Sequence, residues 1–224
     1  MTNLAKNARS FFSRLSVNNN KIWFDEHREE YDKKILEPSK EFAMELGTEL
    51  KKISPHVIVD PRVNKSLFRI NKDVRFSKDK TPYKIHLAIF FWEGTAPKME
   101  CPGFYLHIDS EEITVGTGLY QFPKNILIRF RKFAGDKSQN RSLSRIINRI
   151  ENKGFLIGGE HYKRIPKGAD PDIPSPNLLL HNGLYVSKSY PNNNRLPDLK
   201  ALCLSSFKDT IILHRWLVRL CSRN

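Results

Sequence analysis

The sequence predicts an α+β protein in which an antiparallel sheet packs on helices. Apolar residues recur at helical spacing in the N-terminal third, at alternate positions in the middle of the chain, and at helical spacing again towards the end. The order helices, strands, helices is typical of this fold class. With 39% hydrophobic residues, the 224-residue chain is long enough for one domain over 1–224 with a buried core.

Three scaffold helices are predicted in the N-terminal third. The first covers 4–17, and the asparagines at 18–20 end it and supply an N-cap for the second, which runs from Lys21 to Leu36. Pro38 fits the first turn of a third helix at roughly 38–53, because the first turn does not need the N–H that proline lacks.

The middle of the chain is predicted to form the sheet. Four segments alternate or run apolar over strand-like lengths: 66–71, 85–92, 103–109 and 112–119. The turns between them are short, which indicates antiparallel neighbours with one buried face.

Helical periodicity then returns. Helices are predicted at 123–134 and 141–151, followed by a strand at 184–189. A final helix is expected from about Pro197 to Leu220, so that the C-terminal strand and helix together cover 184–221.

The net charge of +14 favours an acidic partner. Most of it lies in two blocks, since residues 62–86 carry +6 and residues 121–167 carry +9. A small phosphorylated molecule is the first hypothesis, and nucleic acid held along both blocks is the alternative.

Membrane and secretory classes are not indicated. No apolar run approaches the length needed to span a bilayer, and the N-terminal segment lacks a signal-peptide pattern. The three cysteines, Cys101, Cys203 and Cys221, are scattered and odd in number, which predicts a reducing compartment, taken as the cytoplasm.

Residues 69–86 form the densest polar segment and hold six basic residues in eighteen positions. Arginine forks and lysine charges suit phosphate or carboxylate, so this segment is a candidate anion cradle on a loop between two strands. The alternative is a solvated charged loop without a ligand. The candidate ligand-binding residues here are Arg69, Arg75, Lys78, Lys80, Tyr83 and Lys84.

Strand alternation predicts a polar face opposite the core. If the predicted strands share a sheet, period two brings together Arg69, His86, Tyr105, His107 and Tyr120. Gly116 and Gly118 are expected to leave room there for a ligand. An ordinary wet sheet face is the competing interpretation.

Acid–base chemistry is assigned to four candidate catalytic residues: His86, Tyr105, His107 and Glu160. Histidine titrates nearest neutral pH, and the surrounding cations are expected to disfavour the charged form of His107. A structural donor role for His107 is the alternative. Glu160 lies in a second basic cluster with the candidate ligands Lys163 and Arg164, where a structural ion pair is its commoner role.

The chain resembles the domain-of-unknown-function family numbered 2461. The resemblance rests on NNNKIWFDEHREEY (18–31), SLFRINKDVRFSKDKTPYKIHLAIFF (66–91), PGFYLHI (102–108), VGTGLY (115–120) and GGEHYKRIPKGADPD (158–172). It covers about 11–180, with one departure, Asn71-Lys72, where the family usually carries arginine at the second position. The family brings no established activity, so whether the protein is an enzyme stays open.

No metal or cofactor is expected. The cysteines lack CxxC spacing, no HExxH pair is present, and His86 with His107 lacks a third ligand. No phosphate-loop or nucleophile-elbow motif occurs, which excludes the common triphosphatase and α/β-hydrolase signatures.

Overall fold

The computed structural model describes residues 3–166, 170, 172–193 and 198–222. Among these residues, five strands form one antiparallel sheet in the order β1-β2-β3-β5-β4, and the α+β prediction is confirmed. The strands are β1 (Leu87–Trp92), β2 (Gly103–Ile108), β3 (Glu112–Leu119), β4 (Leu156–Glu160) and β5 (His181–Pro191).

The α-helices flank the sheet segments in the sequence. They are α1 (Asn3–Val17), α2 (Lys21–Glu26), α3 (Arg28–Tyr31), α4 (Glu37–Lys51), α5 (Lys124–Gly135), α6 (Lys137–Glu151) and α7 (Leu199–Ser222). Short 3₁₀ segments cover Lys98–Glu100 and Pro176–Leu180. Pro197, the expected start of the final helix, lies outside the described residues.

The second and third predicted helices are divided differently from the expectation. A π-helical segment, Asp32–Leu36, joins α3 directly to α4, so Pro38 lies within a continuous helical run. A proline inside a helix cannot donate to the carbonyl four residues earlier. That carbonyl belongs to Lys34, and Asn7 Nδ2 donates to it at 3.4 Å, so the side chain replaces part of the lost backbone bonding.

The predicted strand at 66–71 is wrong. Leu67 forms isolated bridges with Ile89 and Val63 in place of a strand, although Phe68 N donates to Ala88 O at 3.0 Å. Conversely, β4 was not predicted, because its short GG-containing segment lacks period-two alternation.

The described chain falls into two compact units, whereas one domain over 1–224 stays a prediction. The first unit comprises residues 1–91, 105–115 and 189–205, and the second comprises 92–104, 116–188 and 206–224. The first has an aromatic core in which Phe11 contacts Phe12, Trp23, Phe24 and Tyr31 at ring distances of 5.5–6.4 Å.

The second unit has its own apolar core, built from α5, α6, α7 and parts of β3 and β5. Phe130, Ile150 and Leu213 in this core are fully buried. Asp136 separates α5 from α6 and caps α6, because its Oδ1 accepts the N–H groups of Ser138 and Gln139 at 3.0 and 2.9 Å.

No helix in the described part of the chain is both long and apolar enough to cross a membrane.

Candidate functional site

The first unit carries a polar surface made by β2 and the segments before β1. Along β2, Leu106 and Ile108 are buried while Tyr105 and His107 are half-buried, as the alternation predicted. Six side chains make up this surface, which we call the histidine face: Arg69, Lys84, His86, Tyr105, His107 and Asp109.

Hydrogen bonds connect Tyr105, His107 and Asp109 in a row. His107 Nε2 lies 3.1 Å from Asp109 Oδ2, and Tyr105 Oη lies 3.4 Å from His107 Nδ1. An ionised carboxylate can only accept, so His107 donates from Nε2 and its Nδ1 accepts from the tyrosine hydroxyl. Backbone N–H groups of Glu111 and Glu112 donate to Asp109 Oδ1 at 2.7 and 2.8 Å, which fixes the carboxylate.

The protonation states of the two end groups agree with this direction. Burial raises the pKa of Tyr105 to about 12, so its hydroxyl keeps the proton at neutral pH. Burial also acts to raise the pKa of Asp109, but the backbone donors and His107 outweigh it and the pKa is lowered. The row is therefore a polarised chain from hydroxyl to imidazole to carboxylate.

His86 packs against this chain. Its ring lies 4.2 Å from the His107 ring at an interplanar angle of 30°. Burial, then the neighbouring His107 and Lys84, lower the pKa of His86 to about 4. His86 is therefore a neutral imidazole at pH 7.

Two cationic side chains border the histidines. Lys84 Nζ donates to the backbone oxygen of Arg69 at 2.9 Å and lies 5.5 Å from the Phe68 ring centroid. Burial, followed by the charge of Arg69, lowers the pKa of Lys84. The Arg69 side chain is exposed. An anion placed here would relieve the repulsion between the two cations.

The sequence predicted cations around His107, and the structure adds the Asp109 carboxylate at Nε2. Asp109 was not among the predicted site residues. The signal for it was available, because the alternation that places His107 on this face also places Asp109 there.

The segment 71–83, which we call the basic loop, is closed at its base. Asn71 pairs with Tyr83, and Lys72 N donates to Pro82 O at 2.8 Å. Within it, Arg75 contacts Asp73 through Nε and a terminal nitrogen at 2.9 and 2.7 Å. Lys72 Nζ donates to Asp79 at 2.8 Å, so two cations are bound to the loop's own carboxylates.

The remaining predicted ligands of the basic loop differ in position. Lys80 Nζ donates to the Val74 carbonyl at 2.9 Å, and Lys78 is exposed. Tyr83 is only 4% exposed and its ring stacks on Phe24 at 4.1 Å. The Tyr83 ring therefore packs in the first unit, and ligand binding by Tyr83 stays a prediction.

The glycines of β3 lie in a closely packed part of the sheet. Gly118 has φ +150°, and a Cβ there would lie 2.4 Å from Leu184 O of β5. Gly116 is also buried. Gly118 thus allows close strand packing, and the approach of a ligand to these glycines stays a prediction. Tyr120, 69% exposed, packs against Tyr185 with ring centroids 5.4 Å apart.

The second predicted cluster lies in the second unit. Glu160 ends β4 opposite His181 and is exposed. Lys163 and Arg164 are exposed as well, and the following Lys167 and Gly168 lie outside the described residues. Functional roles for Glu160, Lys163 and Arg164 stay predictions.

Among the described residues, no group of three or more His, Cys, Asp or Glu side chains is arranged to hold a metal ion.

Fold and surface together define an α+β protein whose first unit presents a polarised Tyr–His–Asp row bordered by cations. The chain belongs to the family described as conserved hypothetical protein (DUF2461), whose model matches residues 7–216. This confirms the resemblance and extends it towards both ends of the chain. No curated protein matches the chain with significant similarity.

Proposed function

We propose that the protein binds a small phosphorylated ligand at the histidine face and that His107 exchanges a proton with it. The observation that carries the proposal is the hydrogen-bonded row from Tyr105 through His107 to Asp109 beside two cations. A carboxylate that orients a histidine is a common arrangement for a general acid or base.

The cations supply the affinity in this proposal. Arg69 presents a guanidinium that can contact two phosphate oxygens at once. Burial and Arg69 lower the pKa of Lys84, and a phosphate dianion beside it favours its charged form. Its hydrogen bond to the Arg69 carbonyl at 2.9 Å keeps it near that position.

The proton transfer is assigned to His107 Nδ1. The Tyr105 hydroxyl lies 3.4 Å away, which is long for a hydrogen bond, so an oxygen of the ligand can replace it. Asp109 stabilises the imidazolium that forms when Nδ1 accepts a proton. Neutral His86 stacks on the ring and adds no charge of its own.

Calorimetric titration with inorganic phosphate and with phosphoserine tests the binding. We expect His107→Gln and Arg69→Ala each to weaken binding about tenfold to a hundredfold, because a hydrogen bond to a charged group contributes about 1.5–3 kcal/mol. His56→Gln is the matched control, since His56 is an exposed histidine of the same unit. Equal affinity in all three variants would contradict the proposal.

Nucleic-acid binding is the second candidate function, and one exposed aromatic favours it. Phe76, in the basic loop, is 95% exposed, and the Arg75 guanidinium lies 5.9 Å from its ring centroid. An exposed aromatic beside cations can stack on a base while the charges contact phosphates. The sequence alone could not show whether Phe76 was buried.

Fluorescence anisotropy with a single-stranded oligonucleotide distinguishes the two functions. Stacking on a base contributes about 1–3 kcal/mol, so Phe76→Ala would weaken oligonucleotide binding fivefold or more under this second function. Under the first function it would leave phosphoserine binding unchanged. Ile22→Ala, at another exposed apolar residue of the first unit, is the control.

We further propose a reducing, cytoplasmic location. All three cysteines are free, and Cys101 and Cys203 are buried. Burial raises the pKa of Cys101 and of Cys221, the latter to about 11, so these thiols are poorly reactive.

A further inference from the structure

A cleft lies wholly within the second unit and involves none of the residues considered so far. Its volume is about 660 Å³, within the range of small-molecule sites. It is lined by one face of α7, by Arg149 near the end of α6, by Lys153 beyond that helix and by Glu93 after β1.

The cleft is strongly cationic. The side chains that bring positive charge to it are Arg149, Lys153, Lys208, Arg215 and Arg219. The carboxylates are Glu93 and Asp209 alone among the lining residues. Lys153 contacts Asp209, which neutralises one cation, whereas Arg149 and Lys208 form no ion pair with any described residue.

Spacing along α7 explains why the charges converge. Lys208, Ile211, Arg215 and Arg219 follow one another at three- and four-residue steps and so share a helix face. Ile211 is half-buried, while Lys208, Arg215 and Arg219 are exposed. The face thus combines an apolar surface with cations. This combination suits a ligand that has both a carbon skeleton and a phosphate group.

A buried histidine stands in the wall of this cleft. His214 is 0% exposed, its Nε2 lies 3.0 Å from Glu93 Oε2, and its ring lies 4.2 Å from Phe104. Its Nδ1 has no partner among the described residues. Because the Glu93 carboxylate can only accept, Nε2 is the nitrogen that donates to it. The contact holds the Glu93 carboxylate at the cleft as a hydrogen-bond acceptor.

We propose that this cleft binds a small phosphorylated compound that carries hydroxyl groups, with the sugar phosphates as its chemical class. Arg149 and Lys208 contact the phosphate, and Ile211 packs against the carbon skeleton. Glu93 accepts a hydrogen bond from a hydroxyl group, since a carboxylate can accept several hydrogen bonds at once. This goes beyond the function proposed for the histidine face.

Calorimetric titration with glucose 6-phosphate tests the proposal. It is carried out in an Arg69→Ala/His107→Gln background, so that the histidine face does not contribute. Adding Arg149→Ala with Lys208→Ala is expected to raise the dissociation constant at least tenfold. Arg145→Ala with Lys132→Ala is the matched control, because it removes the same charges at exposed positions of α6 and α5 outside the cleft. The control is expected to change the dissociation constant less than twofold.

Two further titrations identify the chemistry. Glucose should bind at least tenfold more weakly than glucose 6-phosphate, and Glu93→Gln should reduce the preference for glucose 6-phosphate over inorganic phosphate. An equal effect of the two double substitutions, or no saturable binding of glucose 6-phosphate, would overturn the proposal. Circular dichroism of each variant establishes that a loss of binding does not reflect unfolding.

Discussion

At the scale of single residues, burial and hydrogen bonding compete to set each charge on the histidine face. Burial prevails at Tyr105 and His86, where it favours the neutral form. Hydrogen bonding prevails at Asp109, where two backbone N–H groups stabilise the anion. The face therefore has a fixed carboxylate at Asp109 and a neutral imidazole at His86 at pH 7.

The lowered pKa of His86 predicts a stability change in weak acid. The pKa falls from 6.5 in the unfolded chain to about 4 in the folded one. The unfolded chain thus takes up a proton between these values while the folded chain does not. The contribution of His86 to the free energy of unfolding should fall as the pH is lowered from about 6.5 to about 4.

Urea denaturation at several pH values measures this effect. His86→Gln should flatten the pH dependence in that window, and His56→Gln, at an exposed position, should not. A His86 ring that titrates near 6.5 by NMR would show the prediction to be wrong.

Gly118 predicts a large packing effect at one position. A Cβ there would lie 2.4 Å from Leu184 O at a backbone φ of +150°. Gly118→Ala should therefore lower the free energy of unfolding by about 2–4 kcal/mol. Gly135→Ala is the control: a Cβ there meets nothing within 4 Å, and its effect should stay below about 1 kcal/mol.

At the scale of secondary-structure elements, local sequence patterns determined much of the fold. The alternation along 103–109 predicted β2 and the burial of Leu106 and Ile108. The same alternation wrongly predicted a strand at 66–71. The apolar residues there pair with β1 through an isolated bridge and do not form a continuous strand. Period two in a sequence records which residues are buried, and burial does not require a continuous strand.

Asp136 offers a test of how the connection between α5 and α6 is stabilised. Its side chain accepts the first free N–H groups of α6 at 2.9 and 3.0 Å. Asp136→Ala should lower the free energy of unfolding by about 1 kcal/mol, and Asp136→Asn, which keeps an acceptor, should lose less. Equal losses in urea denaturation would show that the cap contributes little.

The basic loop also behaves as an element. Its cations are held by Asp73, Asp79 and the Val74 carbonyl, so a phosphate there must compete with existing pairs. Ion pairs between exposed side chains contribute little to stability. Arg75→Ala should accordingly leave the urea midpoint of unfolding close to that of wild type, and a clear loss would mean that the loop is structural.

At the scale of the whole molecule, the net charge of +14 makes the binding of an anionic partner depend on the salt concentration. Attraction between exposed charges is screened over about 10 Å at 0.1 M salt. We therefore expect the dissociation constant for phosphoserine to rise several-fold between 50 and 300 mM NaCl. An affinity independent of salt would argue against a site built on Arg69 and Lys84.

The parts of the molecule that the sequence could not predict depend on distant pairs. His214 meets Glu93 across 121 positions, and Thr117 meets Thr210 across 93. Local periodicity does not encode such contacts, so it did not predict the cationic cleft of the second unit. Asp109, by contrast, lies two positions from its partner His107, and alternation alone placed both on one face.

The central claim is that a phosphorylated ligand meets His107 on the histidine face. An NMR titration with phosphoserine, following the ring signals of His107 and His56, measures this most directly. We expect the His107 signals to shift saturably as phosphoserine binds, since a phosphate beside the ring changes its electrostatic environment. The His56 signals should stay in place. His107 signals unchanged at saturating phosphoserine would contradict the central claim.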